Sequence, residues 1–347
     1  MYSNVHIEPK NMTVLCTYQC TAACKQCCFE SSPHIKGRLS GDVIRKRITE
    51  AHQAFPSIKV VVFSGGEAFL LKDELIKSVE HASSMGMSTR IVSNGSWAKR
   101  LVRAKEICNE LKRAGLDELN ISTGNDHQEF VPQESVVNAA ESAIACDITT
   151  LITVETDTED SDCYTSIRSD ERVKELLKNR RFHLASNFWM PFHADALERR
   201  QTANVDGLRK GCSQVFNNVV ITPHDNLSAC CGLTLEHIPE MRLSKNSGNN
   251  IGHAYRSQSE DFMKYWLRVD GPYKIIERVM GDQAGKYLDG VVHMCQACAI
   301  LHKTPEIREK IYESYSGHLE EVMTRFALND AVEKIQFETA EGRIYEA

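Results

Sequence analysis

Cys20, Cys24 and Cys27 form a CxxxCxxC array near the start of this 347-residue chain. Three thiolates within eight residues can share one metal centre, and they stop one short of a full set. A structural zinc site takes four protein ligands, usually as two separated pairs. Iron–sulfur clusters are also held by thiolates, with four cysteines as the complete set. A cluster held by three leaves one iron open, and an open position can bind a ligand and do chemistry. Cys28 is a poor fourth ligand, because adjacent side chains in a short loop diverge. The loop alone leaves two readings: a three-cysteine cluster, or a zinc knuckle completed by a distant residue such as His34.

A second group of thiols lies far along the chain: Cys212, the adjacent pair Cys230 and Cys231, and the CxxC pair Cys295 and Cys298. Thirteen cysteines in all need an explanation other than disulfides if the chain is cytoplasmic, where thiols stay reduced. The N-terminus has no basic start followed by an apolar core, so no signal peptide is expected. No apolar run approaches the roughly 20 residues that span a bilayer. Cys16, Cys108 and Cys146 fall in apolar patterns and read as small core residues. Cys163 lies in a polar stretch and is given no role. Asn125-Asp-His-Gln-Glu-Phe130 is dense in titratable groups, and Asp126, His127 and Glu129 could bind substrate or relay protons. A solvated loop with a capping aspartate is the alternative.

The elements that must position these groups follow from periodicity. Short apolar strands at 13–16, 59–63, 89–92, 118–121, 149–154 and 182–187 alternate with helical patterns at about 40–51, 73–85, 97–114, 133–145 and 171–178. Six such units imply a parallel sheet with helices outside it. Glycine-rich and polar residues follow the strand ends: Ser64-Gly-Gly-Glu67, Ser93-Asn-Gly95 and Ser122-Thr-Gly124. Active sites sit at that end of α/β folds. Six units are too few for a closed eight-stranded barrel, so a partial (βα)6 barrel is expected over residues 1–200. A smaller α+β extension should occupy 201–347. It begins with a hairpin at 219–231, turned by Pro223 and Asp225-Asn226, and ends in helices from Pro305 to about 335. Hydrophobic residues make up 42%, charged residues 25%, and the formal charge is −6. That balance suits a globular protein and argues against a nucleic-acid binder.

The cysteine loop after strand one, joined to Gly65-Gly66-Glu67 after strand two, resembles the radical S-adenosylmethionine (radical SAM) enzymes over roughly residues 12 to 190. The resemblance implies a [4Fe–4S] cluster on Cys20, Cys24 and Cys27, whose open iron chelates S-adenosylmethionine. One electron then cleaves the sulfonium, and the 5′-deoxyadenosyl radical takes a hydrogen atom from the substrate. Gly65 and Gly66 would let backbone approach the cofactor, and Glu67 would accept from its ammonium. Ser93 and Asn94 match a polar pair near the cofactor, and Ser122 a ribose contact; helix caps are the plainer reading of each. The family commonly has an aromatic residue or histidine before the third cysteine. Gln26 stands there instead, which puts an adenine contact in doubt, and Phe29 could compensate.

The second half resembles the auxiliary-cluster extension called SPASM, or its shorter form, twitch. Cys212, the Cys230-Cys231 pair, an Asn250-Ile-Gly252 segment, Cys295 and Cys298 carry that match. It implies one auxiliary [4Fe–4S] cluster on Cys212, one of Cys230 and Cys231, Cys295 and Cys298, with a zinc site from the same four as the alternative. The pair then leaves one thiol over, either packing or, as in twitch-type peptide epimerases, a hydrogen-atom donor. The expected function is radical modification of a peptide in its maturation, by α-carbon epimerisation or cross-linking. The alternatives are a sugar or other small molecule as substrate, or a non-catalytic zinc module. A flavodoxin- or ferredoxin-type electron donor is implied, with no nucleic-acid or membrane partner. Only about a dozen residues precede strand one, so a separate leader-recognition domain is not expected there.

Overall fold

Nine strands share one sheet in the order β6-β5-β4-β3-β2-β1-β7-β8-β9. The computed structural model describes residues 7–156, 161–188, 205–232, 238–244 and 250–345. The first six strands run parallel, each beside its sequence neighbour: β1 (Asn11–Leu15), β2 (Val60–Ser64), β3 (Ser88–Ser93), β4 (Glu118–Gly124), β5 (Thr149–Thr156) and β6 (Phe182–Phe188). Helices α1 (Gly41–Ala54), α2 (Asp73–Ser84), α3 (Leu101–Arg113) and α4 (Gln133–Ala145) connect them. In α1 the Ser40 hydroxyl accepts from Val43 N at 3.3 Å, an N-cap, and Ile44, Ile48 and Ala51 are fully buried at helical spacing.

Burial alternates along the strands. Val61, Phe63, Ile91, Leu119, Ile121, Ile152 and Val154 are fully buried in the main core. Their neighbours Val92, Asn120, Ser122, Thr153 and Glu155 line a cavity on the other face. A parallel sheet covered by helices on both faces would carry apolar residues throughout. Here only one face is covered, and the other curls around a polar space. The α/β class with a parallel sheet of six βα units is borne out.

Two features differ from the reading of the sequence. The residues around Cys163 form helix α5 (Asp162–Ser169), followed by α6 (Glu171–Leu176). Cys163 is buried there and accepts from Gln128 Nε2 at 3.1 Å. Second, the hairpin strand β7 (Asn218–Ile221) pairs in parallel with β1, so the sheet runs on past residue 200. The short strands β8 (Leu227–Ser228) and β9 (Arg242–Ser244) extend it antiparallel. Asp225 takes a left-handed φ of 57° in the turn, as aspartate tolerates.

Helices α7 (Ile251–Arg256), α8 (Phe262–Val269), α9 (Gly271–Met280), α10 (Met294–Lys303) and α11 (Pro305–Tyr345) complete the chain. Asn250 caps α7 by accepting from His253 N at 2.9 Å. The apolar Ile307, Val322 and Phe326 dock α11 on the core, with Phe326 edge-on to Tyr265 at 4.9 Å. Beneath that contact Asp270, fully buried, accepts from Arg325 Nη1 at 2.7 Å and Trp266 Nε1 at 3.0 Å.

Candidate active site

The loop after β1 is held on three sides. Cys16 N donates to Ser64 O at 2.8 Å, Gly66 N to Thr17 O at 2.6 Å, and Glu67 N to Gln19 O at 3.0 Å. These bonds leave no room for side chains at the glycines. A Cβ on Gly65 would stand 2.4 Å from Thr17 O, and one on Gly66 would stand 2.2 Å from Gln19 O. Gly65 also adopts a φ of +131°. The two glycines therefore let the β2 turn lie directly against the strand that feeds the cysteines.

Cys20, Cys24, Cys27 and Cys28 all line one cavity of about 370 Å³, together with Gly65 and Gly66. Its far wall is Asn120 and Ser122 of β4, Thr153 and Glu155 of β5, and Asn187 of β6. Phe29 lines it too, stacked on Tyr18 at 5.8 Å, and Gln26 lies beside it, almost fully buried. Cys28 does not diverge from the array. Its thiol donates to Cys27, which brings the Cys27 pKa down to about 6 despite burial. Burial pushes the Cys20 thiol up to about 11 and raises Cys24 further. His34 is exposed and lies outside the residues lining the cavity.

Hydrogen-bond donors reach two of the sulfurs. Ala22 N and Asn94 Nδ2 each lie 3.4 Å from Cys20 Sγ, and Ser31 N lies 3.4 Å from Cys27 Sγ. Donors on the sulfurs favour thiolate, the form that binds metal. Among the described residues no three His, Cys, Asp or Glu side chains converge as ligands of a single ion would. The three thiols line one cavity, and the donors on Cys20 and Cys27 with the lowered Cys27 pKa suit thiolate ligands of an iron–sulfur cluster. The residues present fit that group.

Glu67 is 1% exposed and does not line the cavity. Its carboxylate accepts from Asn94 N at 2.9 Å, Phe69 N at 3.1 Å and the Ser93 hydroxyl at 3.0 Å. Burial raises its pKa in spite of these donors. Ser93 also accepts from Trp97 Nε1 at 3.0 Å, so the β3 turn is organised around the carboxylate. Asp126 and His127 lie in a single helical turn at Asn125–Gln128. Asp126 accepts from Gln26 N at 3.2 Å and so ties the cysteine loop to the end of β4. His127 faces the cavity with Nδ1 2.7 Å from Glu155 Oε2. Burial alone would lower its pKa; the Glu155 carboxylate outweighs that and raises it. Glu129 is exposed, away from the cavity.

The reading of the sequence passed over Asn120, Thr153, Glu155 and Asn187. Their signal was available: polar residues two apart on strands otherwise apolar share one face. Thr153 donates to Asn120 at 3.2 Å, a cross-strand pair within that wall.

The second thiol group is divided by direction. Cys230 is buried in electrostatic contact with Cys212, Cys295 and Cys298, and burial and these thiols raise its pKa. A Cβ on Gly232 would lie 2.5 Å from Cys230 Sγ and 3.7 Å from Cys295 Sγ. Cys295 and Cys298 sit about one turn apart at the start of α10, capped by His293 Nδ1 accepting from Cys295 N at 3.1 Å. Cys231 also feels Cys212 and Cys230, but its thiol is bonded to other partners. It donates to Gln214 Oε1 at 3.0 Å and accepts from Asn218 Nδ2 at 3.1 Å, and Asn218 is bonded to Thr13 of β1. Burial pushes the Cys231 thiol up to about 11. Its apolar side packs on Leu15, Tyr18 and Val220, the cluster that also carries Phe29. All thirteen cysteines are free.

Comparison with known proteins agrees with this geometry. Residues 14–164 match the radical SAM superfamily model. A stretch of 132 residues is 30% identical to the putative peptide biosynthesis protein YydG of Bacillus subtilis (strain 168), covering 38% of this chain and 41% of that protein. The chain thus spans less than half the length of that relative. The structure of native anSMEcpe with bound AdoMet and Cp18Cys peptide overlays with a TM-score of 0.50 at 12% identity, covering 91% of this chain and 99% of that one. BtrN in complex with AdoMet and 2-DOIA gives a TM-score of 0.48 at 13% identity, covering 75% and 87%. No helix among the described residues is long and apolar enough to cross a membrane. The CxxxCxxC loop, the Gly-Gly-Glu turn and strands β2 to β5 all lie inside the stretch that matches the radical SAM superfamily model, residues 14–164.

Proposed function

We propose that this protein is a radical SAM enzyme that modifies a peptide, with inversion at an α-carbon as the outcome. One observation carries the reading: the three loop thiols open on a cavity walled by polar strand residues, and Cys231 packs on the same small cluster as a wall residue, Phe29. When bound, a [4Fe–4S] cluster and S-adenosylmethionine supply a primary carbon radical. Cys20, Cys24 and Cys27 would hold the cluster, and Ser122 and Phe29, which line the cavity, would contact the nucleoside. Asn120, Thr153 and Asn187 offer donors and acceptors suited to a peptide backbone. The relative named for peptide biosynthesis supports that substrate class.

In this reading Cys212, Cys230, Cys295 and Cys298 hold an auxiliary [4Fe–4S] cluster, and the domains divide near residue 200. Cys231 is then the remaining thiol, protonated at neutral pH because burial holds its pKa near 11. Its S–H would return a hydrogen atom to a substrate carbon radical from the face opposite abstraction. The thiyl left behind takes one electron, from a flavodoxin- or ferredoxin-type donor, and one proton. A cytoplasmic setting, which keeps thiols reduced, suits thirteen free cysteines.

Anaerobic reconstitution of the full chain should give a brown protein with about eight irons, two clusters of four. Reduction with S-adenosylmethionine present should release 5′-deoxyadenosine. Colourless protein loaded with zinc would end the enzyme reading. With a peptide substrate in deuterated water, deuterium should enter one α-carbon. Cys231→Ala should keep its iron, form 5′-deoxyadenosine and give no inverted residue. Undiminished product from that variant would rule out its donor role, and turnover coupled only to a sugar would replace the peptide reading.

A further inference from the structure

The geometry points to Asn94 as a positioning residue that sets the reduction potential of the cluster held at Cys20, an inference resting on the proposed function. Asn94 is 5% exposed at the end of β3 and is held by four bonds. Its backbone N donates to Glu67 Oε2 at 2.9 Å, and its Oδ1 accepts from Ser96 N at 3.0 Å. Because Ser96 N–H can only donate, the amide oxygen must face it and Nδ2 must face the cysteine loop. Both Nδ2 hydrogens are then used, one on Thr21 Oγ1 at 3.1 Å and one on Cys20 Sγ at 3.4 Å. No donor remains for a bound cofactor. The side chain therefore acts on the thiolate.

Reducing the cluster adds one electron, and the added charge is shared with the sulfurs. A buried N–H aimed at a ligand sulfur stabilises the reduced state more than the oxidised one, which raises the potential. The donor to Cys20 is a side chain 74 residues away, fixed by the Glu67 carboxylate. The Ala22 and Ser31 donors are backbone groups, whereas the Asn94 donor is a side chain that substitution can remove. The Gly-Gly-Glu turn thus reaches the metal site through Asn94, with the carboxylate buried behind it.

The test is an EPR-monitored redox titration of the reconstituted full chain, following the signal that changes on adding S-adenosylmethionine. Asn94→Ser is too short to reach the sulfur. Asn94→Asp keeps the acceptor for Ser96 N, removes the donor and adds a negative charge. We expect Asn94→Ser to hold its iron with about tenfold less reduced cluster at a fixed potential, equivalent to a midpoint lower by about 59 mV. Asn94→Asp should shift further in the same direction. An unchanged midpoint in Asn94→Ser, with or without a shift in Asn94→Asp, would overturn the inference. So would loss of iron from both variants, since the amide would then build the site and not tune it. Wild-type chain that takes up no iron at Cys20, Cys24 and Cys27 would remove the proposed function as well. Wild-type chain that forms 5′-deoxyadenosine, beside variants of unchanged potential, would remove this inference alone.

Discussion

At the scale of single residues, the site is built from groups whose ordinary chemistry is bent by burial. Gly66 shows how little slack there is. In Gly66→Ala the new Cβ would meet Gln19 O at 2.2 Å, and that backbone cannot retreat without moving the cysteine loop. We expect Gly66→Ala to lose at least half of its iron at the first site on reconstitution, measured by iron count, while the second cluster still forms. His127 makes a pH prediction. Burial opposes its protonation, but Glu155 at 2.7 Å prevails and its pKa is raised. A raised folded pKa adds stability that is fully present below the unfolded value of about 6.5 and is lost as pH rises through the folded one. The melting temperature of the wild-type chain should fall with rising pH from about 6.5 upward, and His127→Gln should give a flatter curve. Parallel curves for the two proteins would remove the pair from the stability account.

Among the elements, the long C-terminal helix α11 depends on a buried charge. Asp270 is fully buried and faces Arg325, Arg278 and Lys274 at 2.7, 3.3 and 3.5 Å. Asp270→Asn would remove the buried counter-charge of these three cations, leaving Arg278 and Arg325 only Glu321 at 2.8 and 3.2 Å. The guanidinium groups are partly solvated, so the cost should lie near the lower end for a broken buried pair, about 3 kcal/mol by denaturant unfolding. A change within about 0.5 kcal/mol would be an ordinary surface effect and contradict that role. Glu321, on α11, supplies an acid limb to the same contact. Hydrogen bonding from Arg278 brings its pKa down to about 2. A lowered carboxylate pKa adds stability present above the unfolded value and lost as pH falls through the folded one. Docking of α11 should weaken between about pH 4.5 and 2, and Glu321→Gln should remove part of that slope, visible as earlier proteolysis of the helix.

For the molecule as a whole, the sheet is what unites the two halves. β7 pairs with β1, and the turn that follows β7 is gripped from the first helix. Arg47 on α1 donates to both oxygens of Asp225, at 2.8 and 2.6 Å, across 178 residues. Only arginine makes that two-bond contact, so Arg47→Lys keeps the charge and loses the geometry. The expected cost is about 1–3 kcal/mol in the unfolding of the full chain. Because β7 and β8 lead directly to Cys230 and Cys231, the same variant should lower iron occupancy at the second site more than at the first. Equal loss at both sites would mean that the grip is not specific to the hairpin.

The strand and helix order was legible because apolar periodicity and strand-end glycines are local signals. The cysteine array and the Gly-Gly-Glu turn were legible for the same reason, as contiguous residues whose types leave few alternatives. The direction of each side chain was not. Cys230 and Cys231 are adjacent and alike in sequence, and only the pairing of β7 with β1 sends one thiol to Cys295 and the other to Asn218. Glu67 and Asn94 likewise stand as separate strand-end residues in the sequence, and only the close approach of the β2 and β3 turns joins them to each other and to Cys20. His127 and Glu155, from neighbouring strand ends, meet only because β4 and β5 align in register. By itself the sequence determined the class of metal chemistry, since that depends on residue type and short spacing. Tertiary structure decided which thiol, amide and carboxylate face the site, since that depends on register and burial between segments up to two hundred residues apart.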